Sequence, residues 1–171
     1  MPRIPISVIY MQIAYQISKL SYAERRKVGC VIVKDEQIVS FGYNGTPHGF
    51  DNACEEIETR HYENPDAAQI LKEAGWTMST GDSYSLQRHI TKREVLHAES
   101  NALMKLAKST MTSKDSVLYT TTSPCFDCAK LIIQSGVKEV FYCEEYRDMT
   151  GIMLLQKAGI RVSQVIVWNN D

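Results

Sequence analysis

The sequence predicts an α/β fold, a three-layer α/β/α sandwich around a mixed five-stranded sheet. The second half of the chain alternates β-rich runs with amphipathic segments of helix length, and this order is typical of parallel strands joined by helical crossovers. Nearer the N-terminus, two β-rich runs are separated only by Asp35 and Glu36, which indicates an antiparallel hairpin. Parallel and antiparallel strands together predict a mixed sheet.

The chain begins with a predicted amphipathic helix, "MPRIPISVIYMQIAYQISKL". Polar residues interrupt its apolar run and no small-residue cleavage site follows, so we expect neither a signal peptide nor a membrane span here. The apolar residues recur at helical spacing and predict the face that packs against the core. They are Ile9, Ile13, Ile17 and Leu20.

Two β-rich runs, "VGCVIVKD" and "QIVSFGYN", follow as the strands of the hairpin. The next segment, "GYNGTPHG", contains too many glycine and proline residues for a regular element and is predicted to be a structured loop. From about residue 51 to residue 94 the chain is polar and weakly periodic. We predict an inserted segment with short helices there, within a single domain that spans residues 1–171.

After residue 94 the pattern becomes regular. "HAESNALMKLAKS" predicts a helix, "SVLYTTT" a strand, "CFDCAKLIIQSG" a helix, "KEVFYCE" a strand, "GIMLLQKAG" a helix and "IRVSQVIV" the last strand. Gly136 and Gly159 stand directly after two of these helices, where a residue with left-handed backbone angles often ends a helix.

Composition limits the classes of function. The chain has 171 residues, a hydrophobic fraction of 44% and a formal net charge of -1, which are typical of a globular protein and predict no basic surface for nucleic acid. Five cysteines, an odd number, do not suggest a disulfide framework. We therefore predict a cytoplasmic protein that acts on small molecules, with no nucleic-acid partner and no membrane association.

Two short segments concentrate side chains that can bind metal. "HAE" contains His97 and Glu99, "PCFDC" contains Cys125 and Cys128, and each segment opens a predicted helix, whose positive end favours thiolates. Two thiolates and a neutral imidazole balance the charge of Zn²⁺ and leave its fourth position to water, as in catalytic rather than structural zinc sites. The carboxylate of Glu99 would then face this water and move protons.

Two alternatives stay open for the cysteine pair on the residues alone. A thioredoxin-like dithiol also places two cysteines at a helix start, although that motif normally follows the first strand and needs no "HAE" partner. A structural zinc site would need a fourth protein ligand, for which Cys54, His61 and His89 are candidates. The presence of both motifs, each at the head of a helix, favours the catalytic zinc site.

The two motifs also carry a family resemblance. "HAESNAL" together with "TTSPCFDCAKLIIQSGVKEVFYCEEYRD" resembles the zinc-dependent nucleoside and nucleotide deaminases. The upstream "RRKVGCVIVKDEQIVSFGYNGTPHGFDNACEE" narrows the resemblance to deoxycytidylate (dCMP) deaminases, including phage enzymes, and the similarity covers about residues 27–52 and 96–162. It implies a cytidine deaminase-like fold and the zinc-dependent hydrolysis of dCMP to dUMP and ammonia, which supplies dUMP for dTMP synthesis.

The resemblance also implies which residues surround the substrate. Glu99 would protonate N3 of the cytosine, deprotonate the zinc-bound water and return a proton to the leaving ammonia. Asn44 is implied to contact the 3′-hydroxyl of the sugar, and the backbone near Ala98 and Ser123 to hold the pyrimidine edge. Arg26 is a candidate phosphate ligand, because a guanidinium can form two parallel hydrogen bonds to a phosphate.

Three further residues are candidates for substrate contact. Tyr146 is predicted to stack on the base. Glu58 and Arg60, in the run "EEIETRH", are the other two candidates.

Regulation is the last property that the resemblance implies. Many dCMP deaminases are homohexamers that dCTP activates and dTTP inhibits, with Mg²⁺ accompanying the triphosphate, and their effector site involves the loop that corresponds to "GYNGTPHGFDN" here. We therefore expect an allosteric homo-oligomer, with a hexamer favoured. The implied effector residues are Gly45, Thr46, Gly49, Phe50, Asp51 and Asn52.

Overall fold

The computed structural model describes residues 3–79 and 82–167. In these ranges the helices are α1 (Ile6–Ser18), α2 (Pro65–Glu73), α3 (Ala98–Leu106), α4 (Phe126–Gln134) and α5 (Thr150–Lys157). The strands are β1 (Gly29–Lys34), β2 (Gln37–Tyr43), β3 (Glu55–His61), β4 (Thr77–Ser79), β5 (Asp82–Thr91), β6 (Val117–Thr122), β7 (Glu139–Glu144) and β8 (Arg161–Gln164). None of these described helices is long and apolar enough to cross a membrane.

The larger of the two sheets has the strand order β2-β1-β6-β7-β8. Strand β1 pairs antiparallel with β2 and β6, whereas β6, β7 and β8 run parallel to one another. Helix α4 connects β6 to β7 and helix α5 connects β7 to β8, because parallel neighbours need a crossover rather than a tight turn. The α/β class and the mixed five-stranded sheet are thereby confirmed.

Helices cover both faces of this sheet. On one face, α1 places Met11 in a core that also contains Val31 of β1 and Tyr119 of β6. On the other face lie α3, α4 and α5, and the core there contains Ile32 of β1. Successive residues of β1 thus point into opposite cores, as the alternation of a strand requires. The second core also contains Ala102, Leu103, Leu118, Ala129, Ile132, Val140 and Leu155.

The buried face of α1 differs from the predicted one. The structure buries Tyr10, Met11, Ala14 and Ser18. The three isoleucines of the predicted face are partly buried, and two of them, Ile13 and Ile17, pack against the core that contains Met11. Leu20 lies beyond the end of the helix and is exposed. Helix α1 passes so close to β1 that a Cβ on Gly29 would collide with the carbonyl oxygen of Ala14. Only small residues fit at such a contact, so the side of the helix with Ala14 and Ser18 turns toward the sheet.

The turns follow the predicted backbone chemistry. Asp35 and Glu36 connect β1 to β2 with φ values of 49° and 62°, the left-handed angles of a two-residue hairpin turn. Gly136 and Gly159 follow α4 and α5 with φ values of 77° and 78°, which only glycine adopts without strain.

Strands β3, β4 and β5 form a second sheet, which the sequence did not predict. Its strand order is β3-β5-β4 and its pairs are antiparallel. Helix α2, a short helix of the expected kind, contributes Ala68 to a small core with Trp76 and Leu86. The sequence did not indicate these strands, because the residues of β3 do not alternate between apolar and polar. This composition agrees with its position in the structure, where no residue of β3 is buried.

Candidate active site

The starts of α3 and α4 meet at one point. His97 directly precedes α3, Cys125 directly precedes α4, and Cys128 lies in the first turn of α4. The Nδ1 atom of His97 lies 3.4 Å from the Sγ atom of each cysteine. The structure thus brings together the three predicted zinc ligands. Within the described ranges, no other histidine, cysteine, aspartate or glutamate belongs to this metal-binding group.

Backbone contacts fix both helix starts. Leu96, next to His97, exchanges two backbone hydrogen bonds with Gly45, with N to O distances of 2.9 Å and 3.1 Å. On the other side, α5 begins so close to α4 that a Cβ on Gly151 would collide with the carbonyl oxygen of Pro124. Glycine at this position therefore lets α5 pack directly against the backbone that carries Cys125.

The donor set fits Zn²⁺. Zinc bonds of about 2.3 Å to sulfur and about 2.0 Å to nitrogen place two such donors about 3.5 Å apart at the tetrahedral angle, and the His97 to cysteine distances of 3.4 Å match. Hydrogen bonds from Cys128 and then His97 hold the pKa of Cys125 at about 4. Cys125 is therefore a thiolate at neutral pH, whereas the hydrogen bond to Cys125 raises the pKa of Cys128, whose proton a bound metal would displace. The candidate fourth ligands Cys54, His61 and His89 lie outside the group.

Glu99 is a buried carboxyl beside this group. It projects from the first turn of α3, is 4% exposed, and has Oε2 3.7 Å from the Sγ atom of Cys128. Burial raises the pKa of the Glu99 carboxyl, so it holds a proton more readily than an exposed glutamate does. A carboxyl in this setting is suited to act as a general acid and base.

A cavity of about 600 Å³ opens beside His97, Cys125 and Glu99. Its lining includes five of the seven residues predicted to contact the substrate, namely Arg26, Asn44, Ala98, Ser123 and Tyr146. The other two, Glu58 and Arg60, do not line the cavity. The Glu58 carboxylate instead binds Arg88, which does line it.

Asn44 and Ser123 also organise the cavity wall. The Asn44 side chain accepts a hydrogen bond from the backbone N–H of Val28 at 2.8 Å and donates one to the carbonyl oxygen of Arg26 at 2.9 Å. The Ser123 hydroxyl accepts a hydrogen bond from the backbone N–H of Tyr146 at 2.8 Å. Both residues therefore hold neighbouring cavity segments in place, which the sequence did not predict.

The predicted effector residues occupy the loop between β2 and β3. Asp51 accepts hydrogen bonds from the backbone N–H of Ala53 at 2.9 Å and from Nζ of Lys92 at 3.2 Å. The Phe50 side chain is 59% exposed, and Gly45 carries the hydrogen bonds to Leu96 described above. None of the six described effector residues, Gly45, Thr46, Gly49, Phe50, Asp51 and Asn52, lines the cavity.

Comparison with known proteins places this site in a family. A family profile described as "Cytidine and deoxycytidylate deaminase zinc-binding region" matches residues 7–144. The chain belongs to the cytidine and deoxycytidylate deaminase family. Zinc binding is general in this family, in agreement with the donor set of His97, Cys125 and Cys128.

Individual relatives within the family agree. The deoxycytidylate deaminase of Enterobacteria phage T4 is 35% identical over 168 residues, which cover 91% of this chain and 87% of that enzyme. The deoxycytidylate deaminase of Homo sapiens is 32% identical over 163 residues, covering 92% and 78%. The dCMP deaminase of cyanophage S-TIM5, solved in complex with dCMP and dUMP, superposes with a TM-score of 0.73 at 37% identity and covers 96% of this chain and 100% of that one.

Three arginines that line the cavity were not predicted, namely Arg25, Arg88 and Arg147. Arg25 and Arg147 adjoin the predicted residues Arg26 and Tyr146, and this adjacency was the available signal. Arg88 comes from β5, whose fold the sequence did not show. Together with Arg26, four guanidinium-bearing side chains line the cavity of a chain whose net charge is only -1.

Proposed function

We propose that this deaminase converts dCMP and water to dUMP and ammonia, and that the dUMP supplies dTMP synthesis. One observation carries the proposal: a metal-ligand group, a buried carboxyl and four arginines share the same cavity. The first two suit deamination of a cytosine ring, and the arginines suit a phosphate on the same molecule. Similarity to the deoxycytidylate deaminase of T4 and to the dCMP deaminase of S-TIM5 supports dCMP as the substrate.

His97, Cys125 and Cys128 would hold the zinc ion. When bound, zinc lowers the pKa of a coordinated water to roughly 7 and so supplies a nucleophile at neutral pH. The backbone contacts at Leu96 and Gly151 keep the three ligand side chains in place, because they fix the two helix starts that carry them.

Glu99 would move the protons of the reaction. Deamination forms a C–O bond at C4 of the cytosine and breaks the bond between C4 and N4. The Glu99 carboxylate takes one proton from the attacking water and delivers it to N3, and then passes the second water proton to N4, which leaves as ammonia. The ring gains the N3–H and C4 carbonyl of uracil, so atoms and charge balance. Burial assists both transfers, because it moves the pKa of Glu99 toward the working pH.

The remaining cavity residues would bind the substrate. We assign the pyrimidine edge to the buried backbone around Ala98 and Ser123, and the face of the base to Tyr146. Asn44 would bind the sugar 3′-hydroxyl with the hydrogen-bonding capacity that its two backbone bonds leave over. Arg26 and the three other cavity arginines would bind the 5′-phosphate, since guanidinium groups match phosphate oxygens in pairs.

Ammonia release from dCMP, CMP, deoxycytidine and dCTP, measured in parallel, tests the substrate assignment. We expect kcat/KM for dCMP to exceed that for deoxycytidine by about 100-fold, because two charge-assisted hydrogen bonds to a phosphate contribute about 3 kcal/mol. Arg26→Ala should lower kcat/KM for dCMP selectively, whereas Arg93→Ala, which removes an exposed arginine outside the cavity, should not. Equal turnover of deoxycytidine and dCMP by the wild-type enzyme would contradict the nucleotide assignment.

We also propose that dCTP activates and dTTP inhibits the enzyme at the loop from Gly45 to Asn52, with Mg²⁺ accompanying the triphosphate. The paired hydrogen bonds between Gly45 and Leu96 support this regulation, because a shift of the loop would displace the residue next to His97. Each effector must then bind the two states of the enzyme with different affinity.

Saturation curves with dCMP test this regulation. We expect a sigmoidal curve that dCTP with Mg²⁺ makes hyperbolic and that dTTP shifts to about 5- to 100-fold higher dCMP concentration. Phe50→Ala should weaken the response to both triphosphates, whereas Ile70→Ala, which truncates an exposed apolar side chain on α2, should not. Hyperbolic curves that neither triphosphate changes would contradict the proposal.

The same resemblance supports an assembly of identical chains. We propose a homohexamer, in which binding at one loop can influence the other active sites. We place its action in the cytoplasm, and in that of the host cell if the enzyme is phage-encoded, in line with its similarity to the T4 enzyme.

A further inference from the structure

We propose that Glu58 and Trp76 are positioning residues that hold Arg88 in the orientation that binds the substrate phosphate. The small sheet β3-β5-β4 would then be the phosphate-recognition element of the enzyme. This inference rests on the proposed function, which assigns the 5′-phosphate to the cavity arginines. Neither Glu58 nor Trp76 lines the cavity, so each would act through Arg88.

The register of the small sheet aligns these three residues. Glu58 of β3 is the direct cross-strand partner of Arg88 of β5. On the other side of β5, Thr77 pairs with Gln87, so Trp76, which precedes Thr77 in an antiparallel neighbour, lies level with Arg88. Side chains at such paired positions are close enough to interact directly.

Glu58 holds the guanidinium of Arg88 from one edge. Its Oε2 atom accepts a hydrogen bond from Nε of Arg88 at 3.0 Å and lies 2.9 Å from Nη2 in an ion pair. Its Oε1 atom accepts hydrogen bonds from Arg60 at 3.2 Å and 3.0 Å. Hydrogen bonds from Arg88 and Arg60 lower the pKa of Glu58, so the carboxylate stays charged. Glu58 thus engages only the Nε and Nη2 edge of Arg88, and the N–H donors that it does not use can bind a second acceptor in the cavity.

Trp76 supports the same guanidinium through the face of its ring. The guanidinium carbon of Arg88 lies 4.5 Å from the ring centroid, and that of Arg60 lies 4.9 Å away. Trp76 is itself held, because it is 4% exposed and belongs to the small core with Ala68 and Leu86. A ring fixed in this way restricts Arg88 before a ligand arrives, which reduces the entropy lost when a phosphate binds.

Two other cavity arginines are held less firmly. The guanidinium of Arg26 comes only within 3.8 Å of the Glu144 carboxylate. The guanidinium of Arg147, an exposed residue, lies 5.7 Å from the ring of Tyr146. Compared with these two, Arg88 has both a shorter carboxylate contact and a closer ring contact, which marks it as the pre-organised phosphate ligand.

The sign of the mutational effect separates positioning from a simple charge contribution. A carboxylate near a phosphate site opposes phosphate binding by Coulomb repulsion, so removal of Glu58 would lower KM for dCMP if charge were its only contribution. If Glu58 orients Arg88, its removal raises KM for dCMP.

The test measures kcat and KM for dCMP and for deoxycytidine in Glu58→Ala, Glu58→Gln and Glu63→Ala. We expect Glu58→Ala to raise KM for dCMP about five- to tenfold, the effect of one charge-assisted hydrogen bond, with kcat and deoxycytidine kinetics changed less than about twofold. Glu58→Gln keeps one acceptor for Arg88 and should restore most of the wild-type KM. Glu63→Ala removes an exposed glutamate of the same segment and should change nothing.

A second set of variants tests the path through Arg88. Glu58→Ala should have no further effect on KM for dCMP in an Arg88→Ala background, because residues that act through one another are not additive. Trp76→Phe should keep the wild-type KM for dCMP, whereas Trp76→Leu, which fills the core without an aromatic face, should raise it. Thermal melts of each variant identify any loss of folding.

Three results would overturn the inference. The first is an unchanged or lowered KM for dCMP in Glu58→Ala. The second is an unchanged KM for dCMP in Arg88→Ala. The third is an equal rise of KM for dCMP and deoxycytidine accompanied by a lower Tm, which would make Glu58 a structural residue only. None of these three results contradicts the proposed function as long as the wild-type enzyme prefers dCMP to deoxycytidine. A wild-type enzyme without that preference would contradict the proposed function itself.

Discussion

Glu99→Gln is expected to lower kcat for dCMP by about 10³-fold or more while zinc stays bound. The amide has the size of the carboxylate but cannot accept a proton from water and deliver it to N3 and N4, and a positioned acid or base contributes about 10²- to 10⁴-fold. The three zinc ligands are untouched by this change. Ammonia release gives kcat, and atomic absorption of the dialysed protein gives the zinc content.

Glu94→Gln is the matched control for this change. Glu94 is an exposed glutamate shortly before α3 and does not line the cavity, so its variant should keep both zinc and activity. Near-full activity of Glu99→Gln would show that another group moves the protons. Loss of zinc from Glu99→Gln would make the carboxyl part of the metal site rather than a proton carrier.

Cys128→Ala is expected to remove zinc, activity and part of the folding stability. Replacement of Cys128 leaves the metal only two protein ligands, His97 and Cys125. Because Cys128 is 3% exposed, the replacement also opens a small void in the packed start of α4. Because the free energy of metal binding is coupled to folding, the loss of zinc lowers the stability of the folded state. We expect Tm to fall by roughly 5–10 °C, since each kcal/mol corresponds to about 2–4 °C for a chain of this size.

Cys54→Ala is the control for the loss of a buried thiol. Cys54 is 1% exposed and lies outside the metal group, so this variant should keep zinc and activity. Chelator treatment should lower the Tm of the wild-type enzyme toward that of Cys128→Ala and leave Cys128→Ala unchanged. If Cys54→Ala instead lost zinc and Cys128→Ala kept it, a structural zinc site that includes Cys54 would be the better description.

The correct predictions of helices and strands rested on local sequence patterns. The alternation of β-rich and helical runs after residue 94 predicted the order of β6, α4, β7, α5 and β8, because each element was specified by its own periodicity. The predicted face of α1 was correct only in part, because Ile13 and Ile17 pack against the core but the most buried residues lie on a neighbouring side of the helix. Hydrophobicity favoured its isoleucines, but the close contact at Gly29 admits only the side of the helix with Ala14 and Ser18.

The sequence by itself determined the donor group, because cysteines spaced three apart at a helix start and a histidine before another helix are local features. It also determined the family, since those motifs are short and contiguous. Only the tertiary structure decided that Arg88 lines the cavity and that Glu58 lies outside the cavity, where it binds Arg88. That arrangement depends on the pairing of Glu58 in β3 with Arg88 in β5, thirty residues apart. Such long-range pairing is set by packing rather than by local propensity.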